Sequence, residues 1–361
     1  MDEVPITTLV GSAGLAIGIA FGAVTRRADF CALGAIADIE IYGDFRRLRS
    51  WLMAIATAMV GTHLLHWFGS VDMYQSIYLG PDFGWFGTIL GGLTFGYGTV
   101  MARGCGGRSL IRFAGGDLRA LVTLLFLGIF AYMTLRGFTG LGRNWLEGIV
   151  NMNLAERNIT SQGIPELLGA AFGLDSVLTR TVLSVLVTAF ILWFCLKDKS
   201  FRTSAQHLGV GVAIGVLVIA GWGTTGILGA DDFEPVALAS MTFVRPIGDS
   251  IQYLMTFTGA TVTFGVAVVG GTVIGGFIIA VFTGTFRLVG FSSAAEMPQY
   301  MIGGTLMGVG GVLALGCTIG QGITGVSTLS LGSLLALTAI VSGGLLGISR
   351  LGLDTANEGL G

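Results

Sequence analysis

Three cysteines hold most of the chemistry that this 361-residue sequence offers. They read FCALGA around Cys31, GCGGR around Cys105 and GCTIGQG around Cys317, each among small residues at the end of an apolar segment. A neutral thiol is a weak hydrogen-bond donor and a soft, polarizable contact. It suits a soft sulfur-bearing anion, because it holds the ion without a fixed positive charge that would trap it, and conduction needs binding weak enough for exit. Glycines flanking the thiols can end helices and expose backbone N–H groups, which also stabilise an anion. The candidate path residues are therefore Cys31, Cys105, Cys317, Gly104, Gly106, Gly316, Thr318 and Gln321. Arg26, Arg27, Arg108 and Arg112 are placed to concentrate an anion near the mouths. Cys195, in the lipid-like run ILWFCLK, reads instead as a packing residue.

Two of the three cysteines sit in an internal repeat. Residues 91–105, GGLTFGYGTVMARGC, align with residues 303–317, GGTLMGVGGVLALGC, and eight of fifteen positions are identical. The Cys31 segment is a fainter third copy, with Gly18, Gly22, Ala28 and Cys31 at the spacing of Gly92, Gly96, Ala102 and Cys105. The repeat keeps the thiol while most large side chains around it change.

The elements that must position these thiols are membrane helices. Mean hydropathy is +0.81 and only 11% of residues are charged, against about 25% in soluble domains. Long uncharged runs predict an all-α polytopic membrane protein of about nine transmembrane helices, near 6–24, 51–69, 84–102, 118–137, 179–196, 208–224, 263–283, 299–316 and 331–349. The runs lack the alternation that barrel strands show. The N-terminal MDEVPITT has no basic region of the kind that opens a cleaved signal peptide. Sixty glycines, many four apart as in Gly14/Gly18/Gly22 and Gly211/Gly215, let helix backbones approach closely in lipid. Segments 32–42 and 106–117 are too short or polar to span, and the almost uncharged 318–330 is expected to re-enter the membrane. Irregular backbone at such depth must be buried in protein or line a cavity.

Charge sets the orientation. Arg26, Arg27, Arg46, Arg47 and Arg49, then Arg103 to Arg119, then Lys197, Lys199 and Arg202, then Arg287 and Arg350 fall on one side; the loops between are poor in base. In the loop 223–262 only Arg245 stands against Asp231, Asp232, Glu234 and Asp249. The rule that cytoplasmic loops are basic puts the N-terminus outside and the C-terminus in the cytoplasm. The two copies of the repeat then run in opposite directions, with Cys105 and Cys317 at opposite faces unless re-entrant segments carry them inward. One integral membrane domain over 1–361 follows, with pseudo-repeat halves of about 1–175 and 176–361. Inverted repeats of this sort place a substrate site near the midplane.

Other chemistries fit poorly. A net charge of −2 suggests no nucleic-acid partner, and four cysteines without CxxC or Cys/His spacing suggest neither a zinc site nor a disulfide scaffold. His63 and His66, three apart, read as an interfacial polar patch rather than a metal site, and no cofactor is expected. A thiol–disulfide enzyme would need two cysteines with Cα atoms within about 6 Å, and a purely structural subunit would leave the thiols replaceable. Asp29, two residues before Cys31, is expected to pair with Arg26 or Arg27.

The cysteine motifs, the upstream GxxxG spacing and GCGGRSLIRFAGGDLRALVT from Gly104 to Thr123 resemble the YeeE/YedE family of bacterial inner-membrane proteins. The resemblance covers residue 14 to about 348. It implies thiosulfate uptake for sulfur assimilation, with Cys31, Cys105 and Cys317 relaying the ion through S–H···S contacts, and a small cytoplasmic sulfur-carrier protein of the TusA type as partner. Other branches of the family are linked to selenium or to further sulfur species. Where many relatives have histidine in the last motif, this chain has Gln321, a neutral amide that can donate to an oxyanion but cannot take up a proton near neutral pH.

Overall fold

The computed structural model describes residues 5–157, 159–231 and 235–351. The first four residues of the N-terminal stretch read above, and Asp232 and Glu234 of the charge pattern, lie outside the described residues. Among the described residues, seven helical stretches are long and apolar enough to cross a membrane. Two more long helices have 17 residues each, about 25 Å at the α-helical rise. These nine occupy the nine expected spans.

The helices are α1 (Ile6–Ala28), α2 (Ala32–Tyr42), α3 (Arg46–Trp67), α4 (Trp85–Met101), α5 (Gly106–Ala114), α6 (Leu118–Arg136), α7 (Phe138–Val150), α8 (Ile164–Phe172) and α9 (Ser176–Lys197). They continue as α10 (Lys199–Thr203), α11 (Ala205–Gly223), α12 (Val244–Met255), α13 (Phe264–Phe282), α14 (Met297–Leu313) and α15 (Leu331–Leu351). A two-residue antiparallel pairing of Asp82–Phe83 with Met152–Asn153 ties the loop before α4 to the one after α7.

One plan recurs: a long helix, a turn, a short buried helical segment, and a second long helix. Unit I is α1–α2–α3 and unit II is α4–α5–α6. Unit III is α11–α12–α13, and unit IV is α14, the buried segment 318–330, and α15. The first helix of each unit packs along the last helix of a unit in the other half: α1 on α13, α11 on α3, α4 on α15 and α14 on α6. Glycine makes these contacts possible. A β-carbon at Gly22 would meet the backbone of Thr272 and Gly276, at Gly96 that of Ile340 and Gly344, and at Gly308 that of Leu127 and Ala131. Contacts advance together along each such pair, so the two helices are parallel.

Units II and IV also meet through their first helices, and here the order reverses. Gly91 lies on Gly310 and Gly98 on Gly303, so α4 and α14 are antiparallel. The repeat equates Gly91 with Gly303 and Gly98 with Gly310. A twofold exchange therefore maps one contact onto the other, as in an isologous interface. The repeats are inverted. Short segments complete the pattern: α5 packs on α6 and α13, α12 on α13 and α6, α2 on α3 and α15, and 318–330 on α15 and α3.

Candidate functional site

The turn before each cysteine has one backbone form. Asp29, Arg103 and Leu315, each two residues before its cysteine, take left-handed φ of 53°, 56° and 56°. That conformation disfavours an L-residue by about 1–2 kcal/mol. It is offset where the last helical carbonyls are re-paired: Gly104 N–H donates to Thr99 O and Gly316 N–H to Gly311 O, both at 2.8 Å. The chain then doubles back, and Cys31, Cys105 and Cys317 each stand immediately before the next helical turn.

The thiols consequently face the N-terminal amides of the short segments. Gly34 N–H donates to Cys31 Sγ at 3.5 Å and Gly320 N–H to Cys317 Sγ at 3.4 Å. The amides of Gly107 and Arg108 face Cys105, and those of Ile319 and Phe243 face Cys317. Segment 318–330 is buried along its whole length. All four cysteines are free thiols; Cys195 lies apart from the other three, its thiol donating to Arg49 O at 3.5 Å.

Cys105 lies within electrostatic reach of both Cys31 and Cys317, and the Thr318 hydroxyl faces the Cys105 thiol with no other partner. The three path cysteines are thus linked through Cys105, which interacts with each of the other two. An arrangement with Cys105 and Cys317 at opposite faces does not hold, because each chain turns inward after its helix. Gly106 is buried against Ile247, Leu127 and Phe243, and Gly316 lies against Gln321. A β-carbon on Gly104 would press on the Arg108 side chain. The Gln321 amide donates to Ala314 O at 2.6 Å, so this donor braces the helix end rather than standing free, and its Oε1 has no partner.

Asp29 pairs with neither Arg26 nor Arg27. Its left-handed backbone turns the carboxylate away from α1, toward Arg108 of α5 and, at 2.8 Å, Arg47 of α3. Arg47 also reaches Asp38 at 3.2 Å. Arg26 donates to Thr285 Oγ1 at 3.1 Å. Arg112 binds Asp117 at 2.7 Å and donates to the carbonyls of Ala102 and Arg103. Arg26, Arg27, Arg108 and Arg112 nonetheless border a single cavity of about 720 Å³, which Arg119 and Arg287 also line. Two small voids lie nearby, one lined by Cys31 beside Arg47 and His207, the other by Gln321 beside Tyr78, Gln162 and Ser330. Each measures about 10 Å³, room for about one water.

His63 and His66 lie elsewhere, in a groove of about 500 Å³ between α3 and α9. Among the described residues no cluster of three or more His, Cys, Asp or Glu could hold a metal ion.

Nothing in the sequence reading pointed to Thr242 or Tyr78, yet both reach the site. The Thr242 hydroxyl meets Cys317 and the Tyr78 hydroxyl.

Inverted helical repeats around buried thiols and converging helix N-termini are the build of a polytopic membrane transport protein. The chain belongs to the family described as sulphur transport, which it matches over residues 27–346. It is 27% identical over 316 residues to the thiosulfate transporter TsuA of Spirochaeta thermophila, covering 87% of this chain and 90% of that protein. It is 26% identical over 327 residues to the thiosulfate transporter TsuA of Escherichia coli, covering 86% of each. A 96-residue stretch is 30% identical to the probable transporter YedE of Salmonella typhimurium, 26% of this chain and 22% of that one.

Proposed function

We propose that the chain carries thiosulfate across the bacterial inner membrane, passing it from Cys317 to Cys105 to Cys31. The observation that carries this is the convergence of three buried thiols on helix N-terminal amides. Amides and helix dipoles stabilise the anion's charge, while the thiols meet its terminal sulfur as weak donors. Serial weak contacts permit exit. The names of the two long-matching relatives favour thiosulfate over other sulfur or selenium anions.

Orientation follows from the basic loops, with the N-terminus outside and the C-terminus in the cytoplasm. The two halves, about 1–175 and 176–361, are inverted copies. The arginine-lined cavity is then the cytoplasmic mouth, where a TusA-type sulfur-carrier protein would receive the ion.

The test is growth on thiosulfate, with thiosulfate depletion from the medium, in bacteria lacking sulfate and thiosulfate uptake. They would express this chain or its Cys31→Ser, Cys105→Ser, Cys317→Ser or Cys195→Ala variant at matched membrane levels. Growth with the unaltered chain and Cys195→Ala, lost with the three serine variants, is expected. Full growth with all three serine variants would make the thiols packing residues. No growth with the unaltered chain, even with a co-expressed carrier protein, would remove thiosulfate as substrate.

A further inference from the structure

Unit III has no cysteine at its turn. By spacing, Gly211 and Gly215 correspond to Gly92 and Gly96, which puts Thr224 at the place of Cys105. The structure moves that place. Past Gly223 the chain continues through a wider helical turn, Thr224–Leu228, and residues 235–243, without helix or strand, lead into α12 at Val244. The residue brought to the centre is Thr242.

Its setting is rigid. Thr324 Oγ1 donates to Met241 O at 2.8 Å, Thr225 Oγ1 to Ala239 O at 2.6 Å, and Ser240 Oγ to Val218 O at 2.7 Å. Met241 and Phe243 are fully buried, but Thr242 between them is partly exposed. Thr242 Oγ1 sits over Gly320, where a β-carbon would meet it at 2.5 Å. It contacts Cys317 and the hydroxyl of Tyr78, which lines the void at Gln321.

The twofold relation pairs unit II with IV and unit I with III. Cys105 and Cys317 are one exchanged pair; in unit III the position just before α12 is Phe243, and Thr242, one residue earlier, is the polar side chain that reaches Cys317. The Cys317 end of the route therefore has a thiol and a hydroxyl. Thiosulfate is similarly unsymmetrical, with one soft terminal sulfur and three harder oxygens. An O–H is a stronger donor than an S–H and prefers oxygen.

We propose that Thr242, supported by Tyr78, is a specificity-determining residue. Its hydroxyl receives the oxygens of the anion at the Cys317 end, while the thiol meets the terminal sulfur, so that the ion enters in one orientation. This rests on the thiosulfate reading above.

The experiment is uptake of radiolabelled thiosulfate into proteoliposomes holding the purified full chain, as the unaltered protein and as Thr242→Val, Thr242→Ser, Tyr78→Phe and Cys317→Ser. Thiocyanate, a sulfur-ended anion with no oxygen, is the competitor. Thr242→Val keeps the volume and removes one donor to a charged group, so KM for thiosulfate should rise about tenfold or more. Thr242→Ser should restore it, and Tyr78→Phe should raise it less. Inhibition by thiocyanate should be the same in all Thr242 variants. A detergent Tm within the scatter of the unaltered protein excludes misfolding, and Tyr78→Phe provides the second probe if Thr242→Val is unstable. An unchanged KM in Thr242→Val, or a serine variant no better than valine, overturns the assignment while the thiosulfate reading stands. No uptake by the unaltered protein removes both.

Discussion

Gln321 donates its side-chain amide to Ala314 O at 2.6 Å, tying the buried segment 318–330 to the end of the helix before it. In the inverted copy Arg112 donates to the carbonyl of Ala102, the counterpart of Ala314, at 3.1 Å. Two unlike side chains hold the same carbonyl, so the demand comes from the turn: a helix ending in a left-handed residue leaves carbonyls that need donors. Gln321→Ala should cost about 1–2 kcal/mol and lower both Tm in detergent and thiosulfate uptake. Gln321→His, which can still donate, should retain most of both. A Gln321→Ala protein with unchanged Tm and uptake would show that the brace is dispensable.

Asp29 keeps the guanidinium of Arg108 neutralised beneath Cys31 and Cys105. Asp29→Asn removes that carboxylate, leaving a fixed positive charge at the end of the thiol series. A passing anion should then bind more tightly and leave more slowly. Initial-rate uptake should show a lower KM and a lower maximal rate, with the double variant Asp29→Asn/Arg108→Gln recovering part of the rate. A higher KM in Asp29→Asn would contradict this.

Close backbone contact should make equivalent glycines equally intolerant. Gly96→Val and Gly308→Val each force a side chain into the backbone of the facing helix and should destabilise by about 1–3 kcal/mol or more. Gly142→Val, where nothing lies within 4 Å of a β-carbon, should cost much less. Fluorescence-detected size exclusion after a temperature series would rank the three. Equal melting of all three would argue against glycine as the packing determinant.

The orientation can be read by labelling. The native cysteines are buried, so a single exposed cysteine at Gly142→Cys or Lys199→Cys should dominate the reaction. A membrane-impermeant maleimide applied to whole cells should label Gly142→Cys, and should reach Lys199→Cys only after permeabilisation. The reverse pattern would invert the assignment and make the arginine-lined cavity the outer mouth.

Much of this architecture was legible in the residues. The retained Gly91, Gly98 and Cys105 set, matched at Gly303, Gly310 and Cys317, carried both the repeat and the glycine contacts of α4 with α14. Hydropathy located the nine long helices because lipid demands continuous apolar length. Unit III escaped, because the added stretch before Phe243 breaks the spacing from Gly211 and its lining residue is no cysteine. The partner of Asp29 is hidden from the sequence for a different reason. Its neighbours in sequence are Arg26 and Arg27, but its partner Arg108 is 79 residues away, and a left-handed φ, not proximity along the chain, decides which way it points. Gln321 was recognisable as a donor, yet its target depends on a reverse turn that sequence does not reveal.

The exchange of helices between halves has a consequence for biosynthesis. Nascent chains leave the ribosome N-terminus first, so α1 and α4 enter the membrane well before α13 and α15, the helices they lie against. Until translation reaches its end, the glycine faces around Gly22 and Gly96 have only lipid or insertion machinery beside them. The first half is thus an unfinished object rather than a folded module, and assembly must await the last hydrophobic segment to emerge.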